Sequence, residues 1–534
     1  MRDAMNVRAS DSIADVAAAP LNRAGDADDS RSLDSTATTP TLRSRLAGWW
    51  KRRWLTGDMW DDTGSMTVIV PLRRECVKQV REHLAEVDKD IRNNVSPLKA
   101  VQGLHVARWV VLPERVRGRG ALTEPSLVMW TVYDGSRDEH VSALATHAWS
   151  LLGSIYGTYA DFPSGTTPDA PALKRFFAAH EARGRVASFI GTPGVTVENV
   201  TLQQRLVEDE LVPFARKRRA ELLPNHHIFL AMQDFIHDRR KEQISDSALS
   251  KLAKRRPGTR RIPNLYLDLV WNLLRSRNTL GAVIVFGAAI TALGYWWQVG
   301  TGILGALAFM LVTAFGLAGL ALTVFGFSLR NAEKREAGRY IRASDRELRD
   351  LDDELQRRDN EGAGMNRVTI LTDLKPGWAR QITLRFVLWL IAFRTSRNFE
   401  GALEGIESIH FAQWRIVDRG RRLMFMSNYD GQAVAYFREF AENSAPGVNA
   451  IWGNTEGMPN TTAVIGEGSR NLEEFENAAR VHQTPTDAWY CGYAGRRLTT
   501  ATINDNWRIH RLLHEHPTPS QVDEWMALLE RYGV

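Results

Sequence analysis

Two distant stretches of this chain repeat each other. Leu104–Gly135 reads LHVARWVVLPERVRGRGALTEPSLVMWTVYDG and Ile409–Gly431 reads IHFAQWRIVDRGRRLMFMSNYDG. In each, an apolar strand carries H-x-A-x-W, a loop follows, and a second apolar strand ends in Tyr-Asp-Gly. His105, Ala107 and Trp109 match His410, Ala412 and Trp414, and Tyr133, Asp134 and Gly135 match Tyr429, Asp430 and Gly431. The step from Asp134 to Gly157 equals that from Asp430 to Gly453, and the step from Gly157 to Pro163 equals that from Gly453 to Pro459. Equal spacing over consecutive intervals marks an internal duplication. The copies differ in the hairpin loop, long and basic in the first (Pro113 to Ser126) and short in the second (Asp418 to Arg422), where a change of length costs little entropy.

Both copies show the same order of elements. Copy one opens with an apolar strand, Thr67–Leu72, and an amphipathic helix around Val77–Ile91. The hairpin follows, then a helix from about Asp138 to Ile155 and a last strand near Val186–Ile190. Copy two repeats this with Val368–Leu371, a helix over Trp378–Phe393, the hairpin, a helix over Val434–Phe440 and a strand at Ala488–Tyr493. The order β-α-β-β-α-β is the ferredoxin-like plan of an α+β protein. Its helices cover one face of the sheet, and the open face needs another layer. A second copy in the same chain supplies it, so the two repeats are expected to pair as an intramolecular α/β barrel.

The rest of the chain divides around these copies. Residues 1–45 contain no aromatic side chain and are expected to be a disordered tail. Copy one is assigned to 46–200, including an opening Trp-Trp-Lys-Arg-Arg-Trp segment, which suits either a bilayer headgroup layer or packing on the copy. A helical, basic linker fills 201–278. Thr279–Trp297 and Ile303–Leu329 are nearly free of charge and each has the roughly 20 residues that span a bilayer. They predict a two-helix transmembrane hairpin over 279–329. Arginine and lysine flank its outer ends, which predicts a bacterial inner-membrane protein with both termini cytoplasmic. Neither span holds an ionisable side chain, which suits an anchor rather than a transport path. A charged helix follows at 330–364, copy two at 365–516 and a C-terminal helix at 517–534. Within copy two, Phe386–Phe393 is almost wholly apolar between arginines, and suits either the membrane interface or a place between the copies.

A formal charge of +6 on 534 residues suits a membrane-facing protein as well as a polyanion binder. No nucleic-acid-binding pattern is present, so nucleic acid is not an expected partner. Cys76 and Cys491 are the two cysteines, one in each copy, which leaves no disulfide framework. His226, His227 and His237, and separately His510, His514 and His516, lack the carboxylate or further ligand that a metal site needs, so no metal is assigned.

The candidate site residues are the repeated ones. Strand alternation places His105 with Ala107 and Trp109 on one face, and His410 with Ala412 and Trp414. If that face looks into the space between the copies, each imidazole could carry a proton or ligate iron. A histidine bonded to a backbone carbonyl beside a packed tryptophan is the plainer alternative. Asp134 and Asp430 each follow a strand and precede a helix, so each can cap helix amides or act as a catalytic carboxylate.

Tandem copies of this plan, with Ser427-Asn428-Tyr429-Asp430-Gly431 and Thr131-Val132-Tyr133-Asp134-Gly135 at the ends of strands, resemble the dimeric α/β-barrel superfamily. They are most similar to the dye-decolorising-type haem peroxidases. The resemblance implies a distal acid–base aspartate at Asp430, with Asp134 as its repeat, and haem ligated by histidine, for which His410 and His482 are the candidates. The leading glycine of that family's motif is Ser or Thr here. The HFA-x-W and SNYDG phrases also resemble a group of uncharacterised bacterial membrane proteins. The leading expectation is a membrane-anchored binding or scaffold module that holds a small ligand or protein partner. The alternatives are a haem-dependent peroxidase-like oxidoreductase, with Asp430, His410, Asp134 and His105 as catalytic groups, and a lipid-handling enzyme.

Overall fold

A computed structural model describes residues 63–242, 302–336 and 365–534, short stretches within these excepted. Copy one contributes strands β1 (Thr63–Pro71), β2 (Leu104–Leu112), β3 (Ser126–Asp134) and β4 (Val186–Ile190). Copy two contributes β5 (Met365–Asp373), β6 (Ile409–Val417), β7 (Arg422–Asp430) and β8 (Ala488–Cys491). The architecture is α+β with antiparallel sheets.

The expected self-contained βαββαβ copy is corrected by the last strand. The two sheets run β1-β3-β2-β8 and β4-β6-β7-β5. Each final strand therefore joins the other copy: Ala488 pairs with Trp109, and Ala187 pairs with Trp414. The same segments first touch their own copy, through single bridges between Glu181 and Val68 and between Gln483 and Ile370. Each then crosses the seam, so both sheet edges are used and the strands close into a barrel. Closure satisfies backbone groups that two open sheets would leave at their edges. Periodicity could place these strands but not their partners.

The sheets twist around a filled interior. Val106, Val110, Trp130, Phe411, Met424 and Met426 pack there. Arg108 crosses the interior from β2, donating to Val368 O, Thr369 Oγ1, Ser427 O and Asn428 Oδ1 at 2.7–3.2 Å. Burial and the nearby Arg367 pull its guanidinium down to about 9, so it stays charged at neutral pH on neutral acceptors. Gln413, the residue at the matching place in copy two, reaches Thr67 in the same way at 3.0 Å.

Helices cover the outer faces. In copy one these are α1 (Val77–Arg92), α2 (Arg137–His147), α3 (Trp149–Tyr156) and α4 (Ala170–His180). After β4 come α5 (Val197–Arg205), a π-helical stretch at Leu206–Leu211, α6 (Val212–Ala220) and α7 (Asn225–Glu242). A long helix, α8 (Gly302–Glu336), precedes copy two. Copy two is covered by α9 (Trp378–Thr395), α10 (Ala433–Asn443), α11 (Ala445–Trp452) and α12 (Leu472–Val481). The chain ends in α13 (Thr500–Leu512) and α14 (Pro519–Glu530). The described part of the expected linker and the C-terminal helix form one unit, because Val207, Leu211, Phe229 and Met232 share an apolar core with Ile509, Trp525 and Leu529.

The expected transmembrane hairpin is not supported. Among the described residues no helix is long and apolar enough to cross a membrane. The first expected span lies outside the described residues. The second falls on α8, whose far end is fastened to copy two: Glu336 meets Lys375 at 3.1 Å and Arg380 at 2.7 Å, and Glu333 accepts from Val464 N at 2.8 Å. An apolar run marks a helix and not the medium around it, and of the described side chains of α8, Leu320, Val324 and Phe327 are exposed. The two-span inner-membrane placement, with its cytoplasmic termini, is withdrawn with the hairpin. The expected tail, the tryptophan-rich segment and most of the charged helix lie outside the described residues. Phe386–Phe393 lies in α9, which packs on β4, the strand that copy one contributes to the sheet of copy two. Its Leu388 is buried in that core, while Phe386 is 57% exposed.

Candidate functional site

The repeated histidines sit on β-bulges. Register slips between Leu104 and Val106 opposite β3, and between Ile409 and Phe411 opposite β7. A bulge puts two consecutive residues on one side of the strand. His105 and His410 therefore leave the face of Ala107, Trp109, Ala412 and Trp414, which pack under the helices. Strand alternation alone predicted the opposite grouping. His105 lies edge-on to Phe411 of the barrel core, with ring centroids 5.3 Å apart.

Each imidazole meets its repeated aspartate. His105 Nε2 lies 2.8 Å from Asp134 Oδ1, and His410 Nε2 lies 2.6 Å from Asp430 Oδ1. The second carboxylate oxygen accepts a helix amide, from Val197 N to Asp134 at 2.9 Å and from Thr500 N to Asp430 at 2.8 Å. The aspartates thus hold helix N-termini, where negative charge is favoured. The helices are α5 and α13, which follow the exchanged strands, and not the helix next in sequence. That nearer helix, α2, is capped by Ser136 with Glu139 in a capping box. Gly135 and Gly431 turn the chain away at φ 78 and φ 76, a conformation glycine adopts without a steric penalty.

The copies differ at the other ring nitrogen. His105 Nδ1 contacts the hydroxyl of Tyr493, just beyond β8. With Nε2–H given to Asp134, the phenol donates to Nδ1. Burial raises the Tyr493 phenol well above its ordinary value. In copy two, Gly191 N donates to His410 O as Gly492 N donates to His105 O, both at 2.8 Å. The next residue there is Thr192, and His410 Nδ1 and Thr192 Oγ1 are both buried without a partner.

Two further repeated contacts support each site. His140 stacks on Tyr133 with centroids 3.9 Å apart, and Tyr436 stacks on Tyr429 at 4.1 Å. The hydroxyls beneath them, Thr131 and Ser427, bond to His140 Nε2 and Tyr436 OH at 3.1 and 2.6 Å. Sequence reasoning missed these, although the shared steps between His140 and Asp134 and between Tyr436 and Asp430 were open to view. It also missed Arg108 and Gln413, each three residues after its histidine, because the two types differ.

Four predicted site residues therefore come together as two pairs, His105 with Asp134 and His410 with Asp430. His482 does not join them. It ends α12, and its carbonyl accepts from Leu371 N at 3.0 Å. Leu371 pairs with Met424, whereas Ile409, beside His410, pairs with Tyr429, toward the other end of the sheet. An oriented imidazole with a bare Nδ1 could take a proton or ligate a metal. His410, however, is 0% exposed in a packed interior, and no group of three or more metal-ligating side chains gathers among the described residues. A haem does not fit beside His410, because the space between the sheets is filled by side chains.

An interior space lies elsewhere, between the sheet of copy two and its helices. It is an apolar cavity of about 50 Å³, lined by residues that include Trp414, Phe425, Gly447, Trp452 and Ala479.

Compared with known protein families, curated proteins and solved structures, the chain matches none.

Proposed function

We propose that this chain is a binding module in which the shared barrel is a frame and not a reaction chamber. The observation that carries this reading is the use made of the repeated His–Asp pairs. Each carboxylate has both oxygens committed, one to an imidazole and one to a helix amide. A catalytic dyad needs a face toward substrate, and these face a packed core. A ligand is better received in the apolar cavity of copy two, where van der Waals surface is already open.

Native mass spectrometry of the purified full chain, beside a solvent extract of the same sample, tests this. A small molecule retained at about one per chain, in wild type and in Asp430→Asn alike, is the expected result. Peroxide turnover with an absorption band from added haemin, both lost in His410→Ala, would overturn it.

A further inference from the structure

Beyond that binding reading, we infer that α8 and α9 together form a docking face that lies along an anionic lipid surface. Eleven large apolar side chains stand exposed among the described residues, and eight of them are on these two helices. On α9 they are Trp378, Ile382, Phe386 and Leu390, 39–57% exposed and spaced by four. That spacing makes one strip along a helix. Leu384 and Leu388, on the opposite side, are buried in the core of copy two. On α8 they are Leu317, Leu320, Val324 and Phe327, 38–66% exposed and again on one side of the helix. The other side meets copy two: Leu329 is buried, and Phe325 lies edge-on to Trp378 with ring centroids 5.7 Å apart. A ninth exposed residue, Ile465, stands in the turn that Glu333 of α8 holds. Exposed apolar residues scattered singly need no explanation, but a gathered patch marks an interaction site.

Charge decides the partner. α9 carries no carboxylate. The carboxylates of α8, Glu333 and Glu336, are taken up by copy two, on the amides of Ala463 and Val464 and on Lys375 and Arg380. The exposed ionic groups of both helices are therefore all cations: Arg330, Lys334, Arg335, Arg385 and Arg394. At about 3.6 residues per turn, Arg385 and Arg394 stand at the two edges of the α9 strip. Phe386, Trp389 and Phe393 stack along that strip with centroids 5.8 and 5.7 Å apart. Aromatic rings between cations suit the headgroup layer, with the rings among the upper acyl chains and the long cationic side chains reaching phosphates. A second copy of the chain would set these cations against their own kind, with no carboxylate to answer them. A partner's amphipathic helix needs a groove, and each strip here is a ridge on the outward side of its helix. An anionic lipid surface supplies both the apolar depth and the negative charge. Lying along it requires no helix that crosses, and no described helix is long and apolar enough to cross.

Flotation of the purified full chain with phosphatidylcholine vesicles, made with and without phosphatidylserine, tests this. Binding to the anionic vesicles, weakened by added salt, is the expected result. Arg385→Gln combined with Arg394→Gln should weaken it by about fivefold for each cation removed. Phe386→Ser combined with Leu390→Ser should weaken it by about tenfold or more, whereas Leu230→Ser, at an exposed place on α7, should leave it unchanged. Circular dichroism and thermal melts show that each variant is folded. Failure to float with anionic vesicles, or flotation that the α9 variants leave unchanged, would overturn the docking face. Self-association without vesicles, lost in Phe386→Ser with Leu390→Ser and unmatched by flotation, would give the face to a second copy and overturn the lipid reading.

Discussion

At the residue scale, the His–Asp pairs show how one motif is kept while its surroundings diverge. Tyr493 completes the hydrogen bonds of His105, and Thr192 leaves those of His410 incomplete. Tyr493→Phe should make copy one resemble copy two and lower stability by about 1–2 kcal/mol, read as a fall in the denaturant midpoint at unchanged slope. His140 gives a pH signature. Burial pulls its imidazole from 6.5 down to about 3, so the unfolded chain binds the proton more readily over that interval. The resulting stability is fully present above about pH 6.5 and is lost as pH falls toward 3. His140→Phe should remove that part of the slope in chemical-denaturation curves taken across this range. That His105, Asp134, His410 and Asp430 mark the repeated site was legible in the sequence, because they recur at fixed places on paired strands; the hydrogen bond within each pair was not. Nor was the direction of the ring. A bulge inserts one residue without a compositional mark, and strand periodicity then names the wrong face.

At the element scale, the exchanged strands end in close contact with these bulges. A Cβ on Gly492 would strike Leu104 O, and one on Gly191 would strike Ile409 O. Gly492→Ala must push backbone from backbone, and should cost roughly 2 kcal/mol or more, with hydrogen exchange rising first in β8 and the start of α13. The strands, the hairpins and most covering helices were readable from alternation and amphipathic spacing. The partner of each last strand was not, because register between distant segments is set by the whole closed barrel and leaves no local trace. The apolar stretch of α8 misled for a related reason. Hydropathy records what a helix can bury, and Glu333 and Glu336, which fasten it to copy two, look in sequence like solvated charges.

At the scale of the whole molecule, each copy is completed by the other. A chain divided between residues 250 and 251, with both pieces expressed together, should assemble into a complex that resists dilution. Either piece alone should expose an unpaired β2 or β6 edge and aggregate or self-associate, as size-exclusion chromatography would show. Arg108 adds to the coupling, since it spans from one copy to the backbone of the other. Arg108→Ala should destabilise both copies in a single transition by about 3 kcal/mol, by removing the charge-assisted hydrogen bonds to Val368 O, Ser427 O and Asn428 Oδ1. The exchange of last strands has a further consequence for inheritance. Unfused, the same contacts would join two identical chains as an isologous dimer, in which every substitution appears in both halves. A change that hollows one core would then hollow the other, and the frame would bear the loss twice. Fusion into one chain removes that symmetry, so one half can keep a solid core while the other is free to acquire an opening.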